Sequence, residues 1–448
     1  MDASAIVLQG VVVILAILLG VRTGGIGLGL WGLVGLAILV FGFGLPPGEP
    51  PTTSMFIILA VITAASTMQS VGGIDYLVEV AKKLLKSRPA YIALIAPVVA
   101  FIFTLGAGTG FIYYPLIPVI YAVAFANNVR PERPLAVAST ASQFAITASP
   151  VSAAMATMVG ILDPVGFGIT DILIVVLPAS IVGLVAASFL QMRVGKELDD
   201  DPEYQRRLAS GEVTHIDTSV LEERVLPPEA KRSTFVFLAG IAVIMLLGMV
   251  ERLRPSFPDE LGTMVPLSTA VMIQIVMGVT ATVIVLTCNV NIKNVVTQST
   301  MTSGLIGLIA LFGIAWLADT WIGANEAQIV DAMGGLVEEW RWAIAVAIFI
   351  VAALTTSQAA ALAAIIPIGL MLGIPPQFLV ACSTAAVGIY FFPANGSQVT
   401  AIATDETGTT GISKYAIWHS FSLPMFVMWI VSTVVGLGVA ALVYGTTA

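Results

Sequence analysis

The sequence predicts an all-α polytopic membrane protein built from two inverted repeats. Each repeat has five transmembrane crossings, one of them a broken helix, plus a re-entrant hairpin. Three observations predict this class. Of the 448 residues, 58% are hydrophobic and 10% charged, more apolar side chain than a water-soluble fold can hide, so the bilayer must act as solvent. Apolar runs long enough to cross lie at about 4–21, 26–44, 54–72, 168–191, 234–250, 264–287, 299–320 and 417–444. Two further apolar regions, 90–162 and 341–404, are cut into half-length pieces by Gly, Ser, Thr, Asn and Pro, one in each half of the chain.

The first run lacks a basic leading segment and blends into further spans, so it reads as a first helix and not a cleaved signal. After the third run, "DYLVEVAKKLLKSR" (75–88) is amphipathic and basic, an interfacial helix at the inner leaflet. Residues 90–127 form the first hairpin, "RPERP" (130–134) a rigid connector, and 134–162 a broken helix that crosses once before 168–191 crosses back. The first repeat is therefore 1–192. Residues 193–233 hold 17 of the 46 charged residues and form a cytoplasmic, partly helical linker. The second repeat, 234–448, carries its hairpin at 341–373 and its broken helix at 376–404.

Charge orients these elements. With both termini outside, 16 of the 19 basic residues fall on the inner side, and only Arg252, Arg254 and Arg341 fall outside. The loop expected at 321–340, with Glu326, Asp331, Glu338 and Glu339, is acidic and external. Odd crossings per half make the halves inverted, and a pattern repeat agrees. A shift of 249 lays "LGAGTGFIYYPLIP" (105–118) on "LTTSQAAALAAIIP" (354–367), and a shift of 243 lays Pro150 on Pro393. Inverted repeats with broken helices are a recurrent plan of secondary transporters.

Four breaks result: the tips "GAGTG" (106–110) and "TTSQ" (355–358), and the interruptions "ITASPVS" (146–152) and "FPANGSQ" (392–398). Small hydroxyl residues are also ordinary helix-packing residues. Four matched interruptions favour a site, because irregular backbone at membrane depth is tolerated only inside protein or beside a water-filled cavity. None of the breaks contains Lys, Arg, Asp, Glu or His. They offer hydroxyls, amides and half-helix N-termini, which suit carboxylates or phosphates. Pro150 is expected in the first turn of a half-helix capped by Ser149, with Thr147 and Ser152 beside it, and Pro393 plays the same part near Asn395, Gly396 and Ser397. Gly106, Gly108 and Gly110 flank Thr109 at the first tip, while Thr356, Ser357 and Gln358 form the second. Paired ends of this kind point to a small dianion, one anionic group per half.

Other groups carry less. Asp319 in "IAWLADTW" is a candidate coupling group or an interfacial cap. Asp405 and Glu406 read as solvated loop acids, Gly27 and Gly29 as packing glycines, and Cys288 and Cys382 as packing residues. His215 falls in a hydrophilic loop and His419 near a membrane boundary, so no metal cluster is expected from them. No cofactor, metal or nucleic-acid partner is expected, and no phosphate-binding loop supports a primary pump. A membrane enzyme lacks a nucleophile–base pair near the breaks, and a channel gives no reason for broken hairpins.

The strings "PVVAFIFTLGAGTG", "RPLAVASTASQFAITASPVSAA", "DDDPEYQRRLASGEV", "GIAWLADTW" and "TDETGTTGISKY" resemble the anaerobic C4-dicarboxylate transporter (Dcu) family over nearly the whole chain. The likeness departs at Phe111 and at the "FFPANGSQ" break. The resemblance implies a bacterial inner-membrane carrier that exchanges fumarate, malate, aspartate and succinate or takes them up with protons. The wider ion-transporter superfamily implies a homodimer with a scaffold and an elevator-type transport domain, and sodium as an alternative coupling ion to H⁺. The candidate substrate residues are then Gly108, Thr109, Gly110, Thr147, Ser149, Pro150, Ser152, Thr356, Ser357, Gln358, Asn395, Gly396 and Ser397.

Overall fold

A computed structural model describes residues 3–23, 25–213, 225–258, 263–339, 342–392, 395–412 and 418–445. Pro393 and His215 lie outside these described residues. The apolar runs become helices because a chain in hydrocarbon must satisfy its own backbone within each segment. In order they are α1 (Ala3–Thr23), α2 (Gly27–Ala37), α3 (Thr52–Gln69), α4 (Gly73–Ser87), α5 (Ile92–Ala107), α6 (Leu116–Ala126), α7 (Glu132–Ala148), α8 (Ala153–Leu162) and α9 (Ile169–Gln191). The charged segment holds α10 (Pro202–Ser210). Then come α11 (Pro228–Met249), a short antiparallel pair β1 (Ser256–Pro258) and β2 (Met264–Pro266), α12 (Thr269–Thr287), α13 (Ile292–Val295), α14 (Ser299–Glu339), α15 (Ala343–Thr355), α16 (Gln358–Met371), α17 (Pro376–Ser383), α18 (Gly396–Thr404) and α19 (Ser422–Tyr444). Seven segments are long and apolar enough to cross a membrane, counting α7 and α8 as one, among the described residues.

Close backbone approach sets the packing. Where α2 crosses α14, a side chain on Gly29, Gly32 or Gly313 would strike the partner's backbone, the small-residue contact that membrane helices use. Almost every side chain of α7 is buried, which is why its sequence shows no polar face. A buried hydroxyl pair, Thr104 and Ser142, joins it to α5 at 2.8 Å. The cysteines are free and buried.

Two expectations change, and the linker gains contacts that the sequence left open. The span expected to end near 320, with a loop at 321–340, continues as helix to Glu339 past non-helical Asn325. The Asn325 amide donates to Trp321 O and Gln9 Oε1, both at 2.8 Å. A side chain bonding back to its own preceding turn bends a helix without ending it.

Asp405 is buried and not a solvated loop acid. It accepts from the backbone of Thr407 (3.0 Å) and Thr410 (2.7 Å) and from the hydroxyls of Thr407 and Thr409. Four donors replace water, so the threonine-rich loop folds around the carboxylate.

The linker is docked and not merely tethering. Asp201 caps α10 through Glu203 N (2.9 Å) and Tyr204 N (3.0 Å), and Arg130 bridges Glu132 (2.7 Å) and Asp201. Burial opposes the charge on Arg130, but the two carboxylates outweigh it and hold the guanidinium above its ordinary value. Burial also raises Asp201, yet the Tyr204 amide and Arg130 prevail and hold its carboxyl below the usual range. Tyr204 lies edge-on to Phe125, and Arg207 donates to Glu406 O. The connector at 130–134 is thus pinned by ion pairs as well as by its prolines.

Candidate functional site: a cavity without charge beside the first break

Helix α5 ends because Gly108 adopts φ +70°, a left-handed geometry that L side chains rarely take. A Cβ there would also collide with Val151 O, so this glycine lets the first hairpin tip seat directly on the α7–α8 link. Residues 149–152 of that link form a turn, with Ser152 N donating to Ser149 O at 3.3 Å. Pro150 takes the second position, whose φ it presets and which needs no N–H.

The expected cap therefore moves. Ser152 caps α8, accepting from Met155 N at 3.0 Å, and Pro150 stands in the turn before it. Ser149 does not cap α8: its hydroxyl donates to Leu105 O at 2.7 Å, tying the link to α5, and accepts from Val151 N, inside the turn, at 3.4 Å. Thr147 donates to Phe144 O within its own helix.

The second break is braced differently. Helix α17 tightens into a 3₁₀ segment, Thr384–Tyr390, and α18 restarts at Gly396. Asn395 caps it: Oδ1 accepts from Ser397 N (3.1 Å) and Ser397 Oγ (2.8 Å), while Gln398 Oε1 accepts from Asn395 N (3.1 Å). Ser397 and Ser139 both bond the Tyr390 hydroxyl, so α7 and the second break share one buried polar knot.

Between these breaks and a wall from α3 and α14 lies a cavity of about 290 Å³. The wall contributes Ile58, Ile62, Thr300 and Ser303. The opposite side carries Gly108, Thr109 and Gly110 of the first tip, Val151 and Ala153 at the start of α8, and Asn395 and Gly396 at the start of α18. Two helix N-termini thus border one space. No charged side chain lines it, among the described residues. The N–H groups of Thr109 and Gly110 have no acceptor among the described residues.

Two lining residues went unread in the sequence as site residues, Gln143 and Tyr114, beside Phe111, where the likeness to the family departs. The carboxamide of Gln143 and the hydroxyl of Tyr114 have no hydrogen-bond partner among the described residues. The Phe111 ring stacks on Tyr114 at 5.7 Å. Gln143 lies one helical turn before Thr147, but Ser139, Thr140 and Ser142 share the helix, so its position alone does not single it out.

The other candidates stand apart from this cavity. Thr147, Ser149, Ser152 and Ser397 are buried behind its lining. Pro150 borders a separate apolar cavity. Thr356, Ser357 and Gln358 lie at the second tip, where Gln358 Nε2 donates to Gln143 O at 2.8 Å from behind α7. Asp319 is exposed on α14 and accepts from Glu49 N at 2.8 Å. Thr320 Oγ1 accepts from Gly48 N and Trp316 donates to Gly48 O, so this corner staples the α2–α3 loop onto α14. It borders a second cavity, of about 420 Å³, together with Glu49, Ser54 and Thr157.

Comparison with known proteins agrees with this architecture. The profile of the family described as anaerobic C4-dicarboxylate membrane transporter matches residues 5–444. The anaerobic C4-dicarboxylate transporter DcuB of Escherichia coli O6:H1 is 39% identical over 446 residues, covering 98% of this chain and 99% of its own. The C4-dicarboxylate transporter DcuA of Wolinella succinogenes is 37% identical over 419 residues, covering 94% and 95%. Among solved structures, the YdaH transporter of Alcanivorax borkumensis is similar in fold, with TM-score 0.52 and 15% identity over 92% of this chain and 86% of that one.

Proposed function

The chain belongs to the anaerobic C4-dicarboxylate membrane transporter family, and from that premise we propose that it is a secondary carrier of fumarate, succinate, malate and aspartate across the bacterial inner membrane. It works by exchange or by proton-coupled uptake. In this reading both termini are external, the two halves are inverted repeats, and a homodimeric scaffold supports an elevator-like transport domain. The cavity beside the first break is the substrate site.

One observation carries the assignment: a cavity without charged side chains, bordered by the N-termini of α8 and α18 and by the free amides of the first tip. One substrate carboxylate lies against Ala153 and the Thr109 and Gly110 amides, the other against Gly396 and Asn395. Helix N-termini carry partial positive charge, and a hydrogen bond to a charged group contributes about 1.5–3 kcal/mol net. Gln143 and Tyr114 add two donors between these ends. A monocarboxylate would leave one set of donors unpaired, which makes dicarboxylates the preferred class.

The test is counterflow in proteoliposomes. Internal succinate accelerates entry of labelled fumarate, and acetate does not; uptake indifferent to internal dicarboxylate refutes the reading. Running the same assay across pH and Na⁺ gradients separates proton from sodium coupling. An Asp319→Asn variant that still follows the pH gradient excludes Asp319 as the coupling group.

A further inference from the structure

We propose that the apolar cavity behind the first break is a binding site for a lipid acyl chain. It measures about 470 Å³ and every residue lining it is apolar. Its floor is Ala148 and Pro150, the back of the same link whose Val151 faces the transport cavity. Phe103 of α5, Leu177 of α9, and Leu238 and Ile241 of α11 wall it.

Three considerations choose the occupant. Water needs two to four polar partners, and this lining supplies none. A dry apolar cavity of roughly 150 Å³ already takes benzene, and an empty void forfeits the dispersion contacts of its whole lining. The mouth is continuous with the lipid-facing surface of membrane-spanning helices. Ile102 at its rim is 55% exposed and Leu238 37%, and Phe235 and Ile174 beside them on α11 and α9 are exposed as well. The medium at the opening is therefore hydrocarbon, and a chain of methylenes entering sideways fills the gap between α11 and α9.

The position gives the site a consequence. Any movement of the α7–α8 link that reshapes the substrate cavity on its front must displace the occupant on its back. The site is a lipid-sensitive control point on the link, independent of which substrate the front cavity takes.

Photolabelling tests this. The wild-type protein is reconstituted with phosphatidylcholine carrying a diazirine in its acyl chain, irradiated, and mapped by peptide mass spectrometry. Label is expected at Phe103, Pro150 and Leu177 as well as on the outer belt at Ile430 and Val434. Leu177→Trp fills the cavity and is expected to lower the floor label by about tenfold or more, the effect of overpacking an occupied site by one ring, with belt label unchanged. Ile241→Phe serves the same purpose if the first variant does not fold. Belt label without floor label in the wild type overturns the proposal. So does chain-to-chain cross-linking at Ile102 and Leu238, which makes the mouth an interface between copies.

Discussion

The two hairpin tips occupy equivalent places in the chain and behave oppositely. Both join two short helices, and both turn through a left-handed residue, Gly108 at φ +70° and Thr356 at φ +49°. Among the described residues, the first tip leaves the Thr109 and Gly110 amides without an acceptor and faces the uncharged cavity. The second closes on itself. Ser357 Oγ accepts from Ala360 N, Thr355 Oγ1 bonds the Val351 and Ser357 carbonyls, and Gln358 reaches Gln143 O. Among the described residues, its unpartnered side-chain atom, Gln358 Oε1, and the Thr356 and Gln358 amides, which find no acceptor, all lie off the lining of the cavity. A break in a helix is thus necessary for a site but not sufficient. What decides is whether the freed donors open onto a cavity that a ligand can enter.

The largest effect comes from the left-handed positions. Gly108→Val adds a β-branched side chain where φ is positive and Val151 O is in the way, so uptake is expected to fall by at least about a hundredfold. Thr356→Gly removes strain of roughly 1–2 kcal/mol, raises thermal stability and leaves uptake within about twofold. Equal losses in the two variants, measured in proteoliposomes after a size-exclusion check of folding, make the tips equivalent and break the comparison.

The paired glutamines come next. Gln143→Leu deletes a donor to a charged ligand and is expected to raise KM for succinate by about tenfold or more. Gln358→Leu loses only a contact behind α7 and is expected to change stability more than KM. A larger KM increase in Gln358→Leu assigns binding to the second tip.

The caps give the smallest effect and sharpen the reading of the first break. Ser152→Ala removes the α8 cap and costs about 1 kcal/mol in thermal unfolding. Ser149→Ala removes a tether to Leu105 O and leaves α8 in place. Helix protection of Met155 in hydrogen exchange separates the two, and its loss in Ser149→Ala alone restores Ser149 as the cap.

Much of this was legible in the amino acids. Hydrophobic length located the long helices, and interruption by small polar residues located all four breaks. The difficulty lay in partners. Ser149 and Ser152 are both suitable caps by residue type. The turn through Pro150 decides between them, because it starts α8 at Ala153 and leaves Ser152, not Ser149, within reach of the Met155 amide. Asp405 read as solvated because its neighbours are polar, yet those threonines are its ligands. The acids at 321–340 signalled a loop by composition, while the chain turns helical again past a kink at Asn325, whose side chain bonds α1 and its own preceding turn. Gln143 was hidden among the other buried polar residues of α7, Ser139, Thr140, Ser142 and Thr147, and only the cavity sets its carboxamide apart as one without a partner among the described residues.

The uncharged lining has an electrical consequence. In the proposed carrier, a pocket with no fixed charge among its described lining residues adds nothing to the charge of its cargo, so a dicarboxylate would carry its full two negative charges through the field. Against a membrane potential of about 100 mV, negative inside, inward movement of that dianion costs roughly 4.6 kcal/mol. One-for-one exchange of dianions cancels the term and is indifferent to voltage. Net uptake needs at least two monovalent cations per dianion merely to become neutral, and a third to draw on the potential. Current recorded during exchange and during net uptake reads that stoichiometry directly.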